Sequence, residues 1–361
     1  MAFIELGELC DKGTSNLAQK DLLIDSGRYP VYGAAGEITK VDFYQQSKPY
    51  LGIVKDGAGV GRVMRLPSNS SVIGTLQYIF PKENVDLKYL YYLIKYLDLG
   101  KSNTGATIPH IYFKDYKKRK VKVKSYSEQK HIGEIFELLD MQLNTYKNTL
   151  KQYNLLVKSR FDEFNKTNRH VKKLKLEDVC SSIVRGPFGS ALKVENFVKK
   201  SASSVKVYEQ ANAIQSSASI GSRYISKDHY ESLKRFRCMP GDIIMSCSGT
   251  IGKLFILPSN AEKGIINQAL CKFTLGKYLL PEIFLLYMNV LINNIETKGS
   301  GIKNISAVKF IKNLEIPVPS IELQQKLLIE LNQINKLKAD VQKSIDETQL
   351  LMDSLMQEYF G

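Results

Sequence analysis

Val121-Lys-Val-Lys-Ser-Tyr-Ser-Glu-Gln129 and Ile316-Pro-Val-Pro-Ser-Ile-Glu-Leu-Gln324 are two versions of one phrase, 195 residues apart. Each passes from a strand-like segment into a long helical pattern, and the offset holds through the helix that follows. Solenoid repeats recur every 20–50 residues or so, and a period this long means that a whole globular unit plus its helix is duplicated.

Working outward, further matches extend the duplication. Gly57-Ala-Gly-Val-Gly-Arg-Val-Met-Arg-Leu-Pro-Ser-Asn69 lies over Ser248-Gly-Thr-Ile-Gly-Lys-Leu-Phe-Ile-Leu-Pro-Ser-Asn260, and continuing this alignment without a gap sets Gln77 on Gln268. Leu6-Gly-Glu-Leu-Cys10 lies over Leu176-Glu-Asp-Val-Cys180, and Gly105-Ala-Thr-Ile108 over Gly299-Ser-Gly-Ile302. Between these phrases the copies diverge, as expected of two units that share a scaffold and read different things.

From Glu128 to Phe164 apolar residues recur at spacings of three and four, from Ile132 through Leu139, Leu143, Tyr153 and Phe161; the second copy repeats this from Leu327 to Tyr359. The pattern predicts two amphipathic helices with a narrow apolar seam, each roughly 55 Å long at about 1.5 Å per residue. A narrow seam calls for a helical partner, so the expectation is an antiparallel coiled coil of the two. The alternative is that each helix lies on its own globular unit, which usually demands a broader apolar face. The preceding segments read as mixed α/β (α+β). Strands are expected at Tyr50–Val54, Arg62–Leu66, Gln77–Phe80, Asp242–Met245, Leu254–Leu257 and Leu270–Thr274, and short helices at Leu87–Tyr96 and Pro281–Asn293. The expected order is a globular unit over 1–125, a long helix over 126–166, a second unit over 167–319 and a second long helix over 320–361, with a built-in pseudo-two-fold.

With 361 residues, 43% of them hydrophobic, the chain can form a core in each of two units. A formal net charge of +15 serves solubility or a polyanionic partner, nucleic acid before membrane. The five cysteines form no Cys-x-x-Cys pair and read as reduced core residues of a cytoplasmic protein. The N-terminal residues carry no signal-peptide pattern, and Ile283–Ile292 is about half the length needed to span a bilayer.

Chemistry is hard to find. None of the four histidines sits at metal-ligand spacing from another His or Cys. Gly57-x-Gly59-x-Gly61 lacks the dinucleotide-binding spacing, and Ser248-Gly-Thr-Ile-Gly-Lys253 lacks the first glycine and the final Ser or Thr of a phosphate-binding loop. No Asn-Pro-Pro-aromatic or Asp-Pro-Pro-aromatic motif of an amino-methyltransferase is present, and no Pro-Asp pair completes a nuclease metal site. What remains is binding. The run Ile111–Lys124 has seven basic residues, including Lys117, Lys118 and Lys120, against the single acid Asp115, interleaved with Tyr112, Phe113 and Tyr116. It is a solvated face or a phosphate-contacting edge. Gln77 and Gln268 are either base-reading carboxamides or buried strand amides.

Arg185-Gly-Pro-Phe-Gly-Ser-Ala-Leu-Lys193, Tyr29-Pro-Val-Tyr-Gly-Ala-Ala-Gly36, Gly241-Asp-Ile-Ile244, Ser248-Gly-Thr-Ile-Gly-Lys253, and Ile316-Pro-Val-Pro319 leading through Gln324 into a long helix together resemble the specificity subunit of Type I restriction-modification systems, over essentially the whole chain. Val121-Lys-Val-Lys124 departs from the family's usual Pro-x-Pro. The resemblance implies two target recognition domains held apart by antiparallel helices, each reading one half of a split target in double-stranded DNA. It also implies partners: two DNA adenine methyltransferase (modification) subunits and the restriction subunits. Those partners would use S-adenosylmethionine, Mg and ATP; no cofactor, metal, membrane or catalytic residue is expected in this chain. The candidate DNA-contacting residues are Lys55, Arg62, Gln77, Thr104, Thr107, His110, Lys117, Lys118 and Lys120 in the first copy. In the second copy they are Arg185, Ser246, Ser248, Thr250, Lys253, Gln268, Lys303 and Asn304. Two rival readings are a protein-binding coiled-coil scaffold with incidental charge, and the recognition subunit of a related system with a fused methyltransferase-nuclease partner.

Overall fold

A computed structural model describes residues 3–22, 27–57, 59–102, 109–297 and 308–361. The chain divides into two compact units, Met1–Lys151 with Ala339–Gly361, and Gln152–Lys338. Each long helix, Tyr126–Thr167 and Ile321–Phe360, contributes one stretch to each unit.

In the first unit the strands are β1 (Phe3–Glu5), β2 (Cys10–Thr14), β3 (Tyr29–Gly33), β4 (Gly36–Val41), β5 (Tyr50–Val54), β6 (Val63–Leu66), β7 (Ser71–Val72), β8 (Leu76–Pro81) and β9 (Lys120–Lys122). An antiparallel sheet of order β2-β8-β5-β6 packs beside a smaller sheet, β4-β3-β7, in which β3 and β7 run parallel. Every residue of β5 is buried, consistent with its continuous apolar run Tyr-Leu-Gly-Ile-Val. Helix Leu87–Leu97 starts where the Asp86 carboxylate accepts from the Tyr89 N–H. It buries Tyr89, Leu90, Tyr92, Leu93 and Ile94 against Ile132, Phe136 and Leu143 of the first long helix and Met352, Met356 and Phe360 of the second.

The second unit repeats the plan. Its strands are β10 (Lys173–Lys175), β11 (Cys180–Arg185), β12 (Phe197–Val198), β13 (Ser204–Tyr208), β14 (Tyr224–Ser226), β15 (Arg237–Cys238), β16 (Ile243–Ser246), β17 (Leu254–Ile256), β18 (Gly264–Ile266), β19 (Leu270–Leu275) and β20 (Glu315–Pro317). Order β11-β19-β16-β17 reproduces β2-β8-β5-β6, and the parallel pair β13–β18 reproduces β3–β7. Cys10 and Cys180 open equivalent strands, and burial pushes both thiols up to about 12. All five cysteines are buried and unbridged. The missing prolines of Val121–Lys124 leave the backbone plan intact: β9 pairs with β1 through Phe3↔Lys122 as β20 pairs with β10 through Lys173↔Pro317.

The helices settle the choice between partners by taking both. In the first unit Phe136 stacks on Phe360 with ring centroids 5.8 Å apart; in the second, Arg160 meets Glu330 at 3.9 Å while Phe164 lies beside Leu327. The beginning of one helix thus runs against the end of the other, antiparallel in each unit. The initial part of each helix also lies on its own globular unit, through Ile132 and Phe136 in the first and Leu327 and Leu331 in the second. Toward the middle of each helix the stripe thins, with Tyr146, Tyr153, Val341 and Thr348 half-buried and Leu337 exposed.

One alignment is corrected. Ile53 pairs with Val63 and Gln77, and its counterpart Met245 pairs with Leu254 and Cys271. Cys271, not Gln268, is therefore the counterpart of Gln77, and the second copy carries three extra residues in the turn before β18. The identical Leu-Pro-Ser-Asn phrases lie upstream of that turn and give no sign of it.

Candidate nucleic-acid interface

Each main sheet has one end at which loops converge. In the second unit, β11 ends at Arg185, β16 at Ser246 and β13 at Tyr208, while β17 begins at Leu254 and β19 at Leu270. The hairpin between β16 and β17, the segment after Arg185, the Asn267–Ala269 turn and the Glu209–Gln210 corner meet there. Backbone geometry dictates the hairpin's residues. Gly252 has φ +82°, and a Cβ there would lie 2.7 Å from Ile292 Cγ2. Ser246 is fully buried and accepts from the Lys253 N–H at 3.0 Å while donating to the Thr250 carbonyl at 2.6 Å. It closes the loop from inside, so its hydroxyl is not a DNA contact. Thr250 and Lys253 are exposed, Ser248 is half-buried, and Gln268 is exposed on the adjoining turn with its carbonyl accepting from Arg185 Nε at 3.3 Å.

Sequence reasoning missed the corner beside them. Glu209 pairs with Arg223 at 2.6 Å and accepts from Asn267 Nδ2 at 3.4 Å. Gln210 Oε1 is buried without a partner, near Gly249. The sequence gives no periodic or motif signal for this corner, which is assembled by the parallel pairing of β13 with β18.

The first unit builds the same end. Gly61 has φ +85°, and a Cβ there would lie 2.2 Å from the Gly100 amide nitrogen. The hairpin it closes carries Lys55 and Arg62; Arg62 Nη1 donates to the Ala34 carbonyl at 2.9 Å. His110 Nδ1 meets Asp56 Oδ1 at 2.7 Å, and the Pro109 and Lys55 carbonyls accept from Gly57 and Ile111, which ties the residue 109–111 segment to the hairpin. Tyr112 follows, 51% exposed, with Lys114 Nζ 5.3 Å from its ring centroid.

Gln77 is a second correction. It is buried, and its Nε2 donates to the Tyr116 hydroxyl at 2.6 Å; it is a buried strand amide. Burial raises the Tyr116 phenol well above its ordinary value, so the hydroxyl stays neutral as a hydrogen-bonding partner. Lys117, Lys118 and Lys120 lie apart from the hairpin: the Lys117 carbonyl accepts from Gly7, and Lys120 pairs with Glu5, at the opposite end of β2 from Thr14. Lys118 and Lys120 are exposed there and Lys117 half-buried. Thr104, Thr107, Lys303 and Asn304 fall outside the described residues. Among the described residues no cluster of three or more His, Cys, Asp or Glu could hold a metal, and no helix is long and apolar enough to cross a membrane.

The Type I restriction modification DNA specificity domain matches residues 1–152 and 168–348. The Type I restriction enzyme MjaVIII specificity subunit of Methanocaldococcus jannaschii is 24% identical over 123 residues, 33% of this chain; the match spans only 28% of that relative's length. Among solved structures, the S subunit of a Type I restriction-modification system from M. genitalium aligns with TM-score 0.63 and 15% identity over 100% of this chain and 96% of that one. A chain from a study of complex assembly and conformational transition in a type I R-M system aligns with TM-score 0.55 and 12% identity, over 99% and 96%. At these identities the structural likeness concerns the fold.

Proposed function

Because this chain belongs to the Type I restriction-modification DNA specificity family, we propose that it is the non-catalytic subunit that reads a split, asymmetric double-stranded DNA target, one half-site per unit, and on which modification and restriction subunits assemble. One observation carries the reading: the same loop-bearing sheet end is built twice and furnished with different side chains. Lys55, Arg62, His110 and Tyr112 stand on the first, and Arg185, Thr250, Lys253 and Gln268 on the second. Short polar side chains and bare backbone on such loops can approach base edges, and the basic groups can meet phosphates. Catalysis, with S-adenosylmethionine, Mg and ATP, belongs on this reading to the partner subunits, and the work is cytoplasmic.

Support for partner docking comes from the long helices. Leu138, Met141 and Leu155 on the first and Ile329, Leu350 and Leu351 on the second are at least half exposed, on faces opposite the buried stripes. Such faces suit protein partners. Sequencing of methylated DNA from cells carrying this chain with its modification partner is the test. A motif of two different half-sites separated by a fixed unspecified gap is expected; a perfect palindrome, or binding without sequence preference, would overturn the proposal.

A further inference from the structure

Phe188 is 66% exposed, three residues beyond the end of β11 at the loop-bearing end of the second unit. The ring would gain apolar burial on being covered, and what sets it apart from other exposed side chains is that the backbone holds it outward. Gly186 donates to the Leu270 carbonyl at 2.9 Å and sits so close to the Asn267–Gln268 turn that a Cβ would lie 1.9 Å from the Asn267 carbonyl oxygen. The next residue is a buried proline, whose ring fixes its backbone. Phe188 thus projects from a rigid stem. The Arg185 guanidinium carbon lies 4.9 Å from the ring centroid, and Arg185 is itself fastened to the Gln268 carbonyl.

Resting on the function proposed above, we propose that Phe188 is an intercalating wedge: its ring enters a base step of the half-site bound by the second unit and stacks on a nucleobase, locally kinking the duplex. The surroundings select a nucleobase over an apolar protein surface. The ring is flanked by a guanidinium and shares its end of the sheet with Lys253, Thr250 and Gln268, so its rim is cationic and polar. Phenylalanine is among the side chains that unstack base steps in kinked complexes, and a rigid stem lowers the entropic cost of inserting it.

The chain contains no tryptophan, so Phe188→Trp places a single fluorophore at the proposed wedge. Tyr278→Trp, beyond the opposite end of β19, serves as the control. The full-length variants are titrated with a fluorescein-labelled duplex carrying the methylated motif, and binding is followed independently by the anisotropy of the label. The expected result is that Phe188→Trp loses most of its emission on saturation while Tyr278→Trp keeps its own. Phe188→Ala, assayed in the complex with the modification subunit, should bind the motif on the order of 10- to 100-fold more weakly, with the salt dependence unchanged because no phosphate contact is lost. Unquenched Phe188→Trp emission at full anisotropy change would overturn the wedge and leave the specificity reading standing. Phe188→Ala that binds DNA normally but no longer retains the modification subunit would do the same, by making the ring a protein contact. A wild-type chain that shows no preference for the motif would overturn both.

Discussion

Gln129 and Gln324 close the two phrases from which the duplication is legible, and their side chains explain why the phrase persists in both copies. Gln324 is fully buried at the start of its long helix; it accepts from the Leu280 N–H at 2.9 Å and donates to the Tyr278 and Pro319 carbonyls, each at 2.8 Å. Gln129 does likewise with the Asp86 N–H and the Lys124 carbonyl. Each carboxamide fastens a long helix to the N-terminus of the short helix beneath it. Replacing Gln324 with Ala strands one buried donor and two acceptors and should cost about 2–4 kcal/mol; urea denaturation measures it. Gln268 differs because it is exposed beside the hairpin. Gln268→Ala should leave the melting temperature unchanged and relax preference at one base pair by about 1–3 kcal/mol if the amide reads an adenine, as binding to single-base variants of the motif would show. In the sequence Gln77 and Gln268 stand out alike as carboxamides, and only burial separates the strand amide Gln77 from the exposed Gln268.

Elements stabilised by local chemistry were legible. β5, β6, β16 and β17 are apolar runs joined by glycine-rich turns, and the long helices announce themselves by periodicity without an internal proline. The smaller sheets were not legible, because two- and three-residue strands such as β7, β12 and β15 carry no period and owe their form to parallel or edge pairing far along the chain. The same limit hid the three-residue insertion before β18, which lies in a turn where nothing local fixes register. The basic run was legible as charge but not as place: β9 draws it to the β1 end, away from the hairpin. Neutralising Lys117, Lys118 and Lys120 to Gln should still make the slope of log affinity against log salt shallower, by roughly two units rather than three, since Lys117 is half-buried and about 0.9 unit accompanies each phosphate contact. Titrations across a salt series decide it, and an unchanged slope would leave the run as solvated surface.

At the scale of the molecule, the duplication was evident from sequence, but the partition was not. Periodicity shows where a helix runs and cannot show that each helix is divided between two cores, which depends on side chains such as Phe136 and Phe360 meeting across more than two hundred residues of chain. If helix length sets the gap between half-sites, inserting one heptad between Tyr146 and Tyr153 and another between Val341 and Thr348 preserves the seam and adds about 10 Å to each helix. At about 3.4 Å per base pair the unspecified gap should widen by up to about three base pairs with both half-sites unchanged. Sequencing the sites methylated with the lengthened variant checks this; an active variant with the original gap would reduce the helices to a docking surface.

The membership of Ala339–Gly361 in the first unit bears on biosynthesis. A ribosome delivers Met1–Lys151 first, yet Met352, Met356 and Phe360 complete the cluster around Tyr89, Tyr92 and Phe136. At about 5–20 residues per second, that pocket waits on the order of 10–40 seconds for its last side chains. The second unit, contiguous over Gln152–Lys338, is whole before the first is finished. The chain therefore folds out of the order in which it is written, and a product released before Ala339 would carry a completed second unit and a first one open to chaperones and proteases.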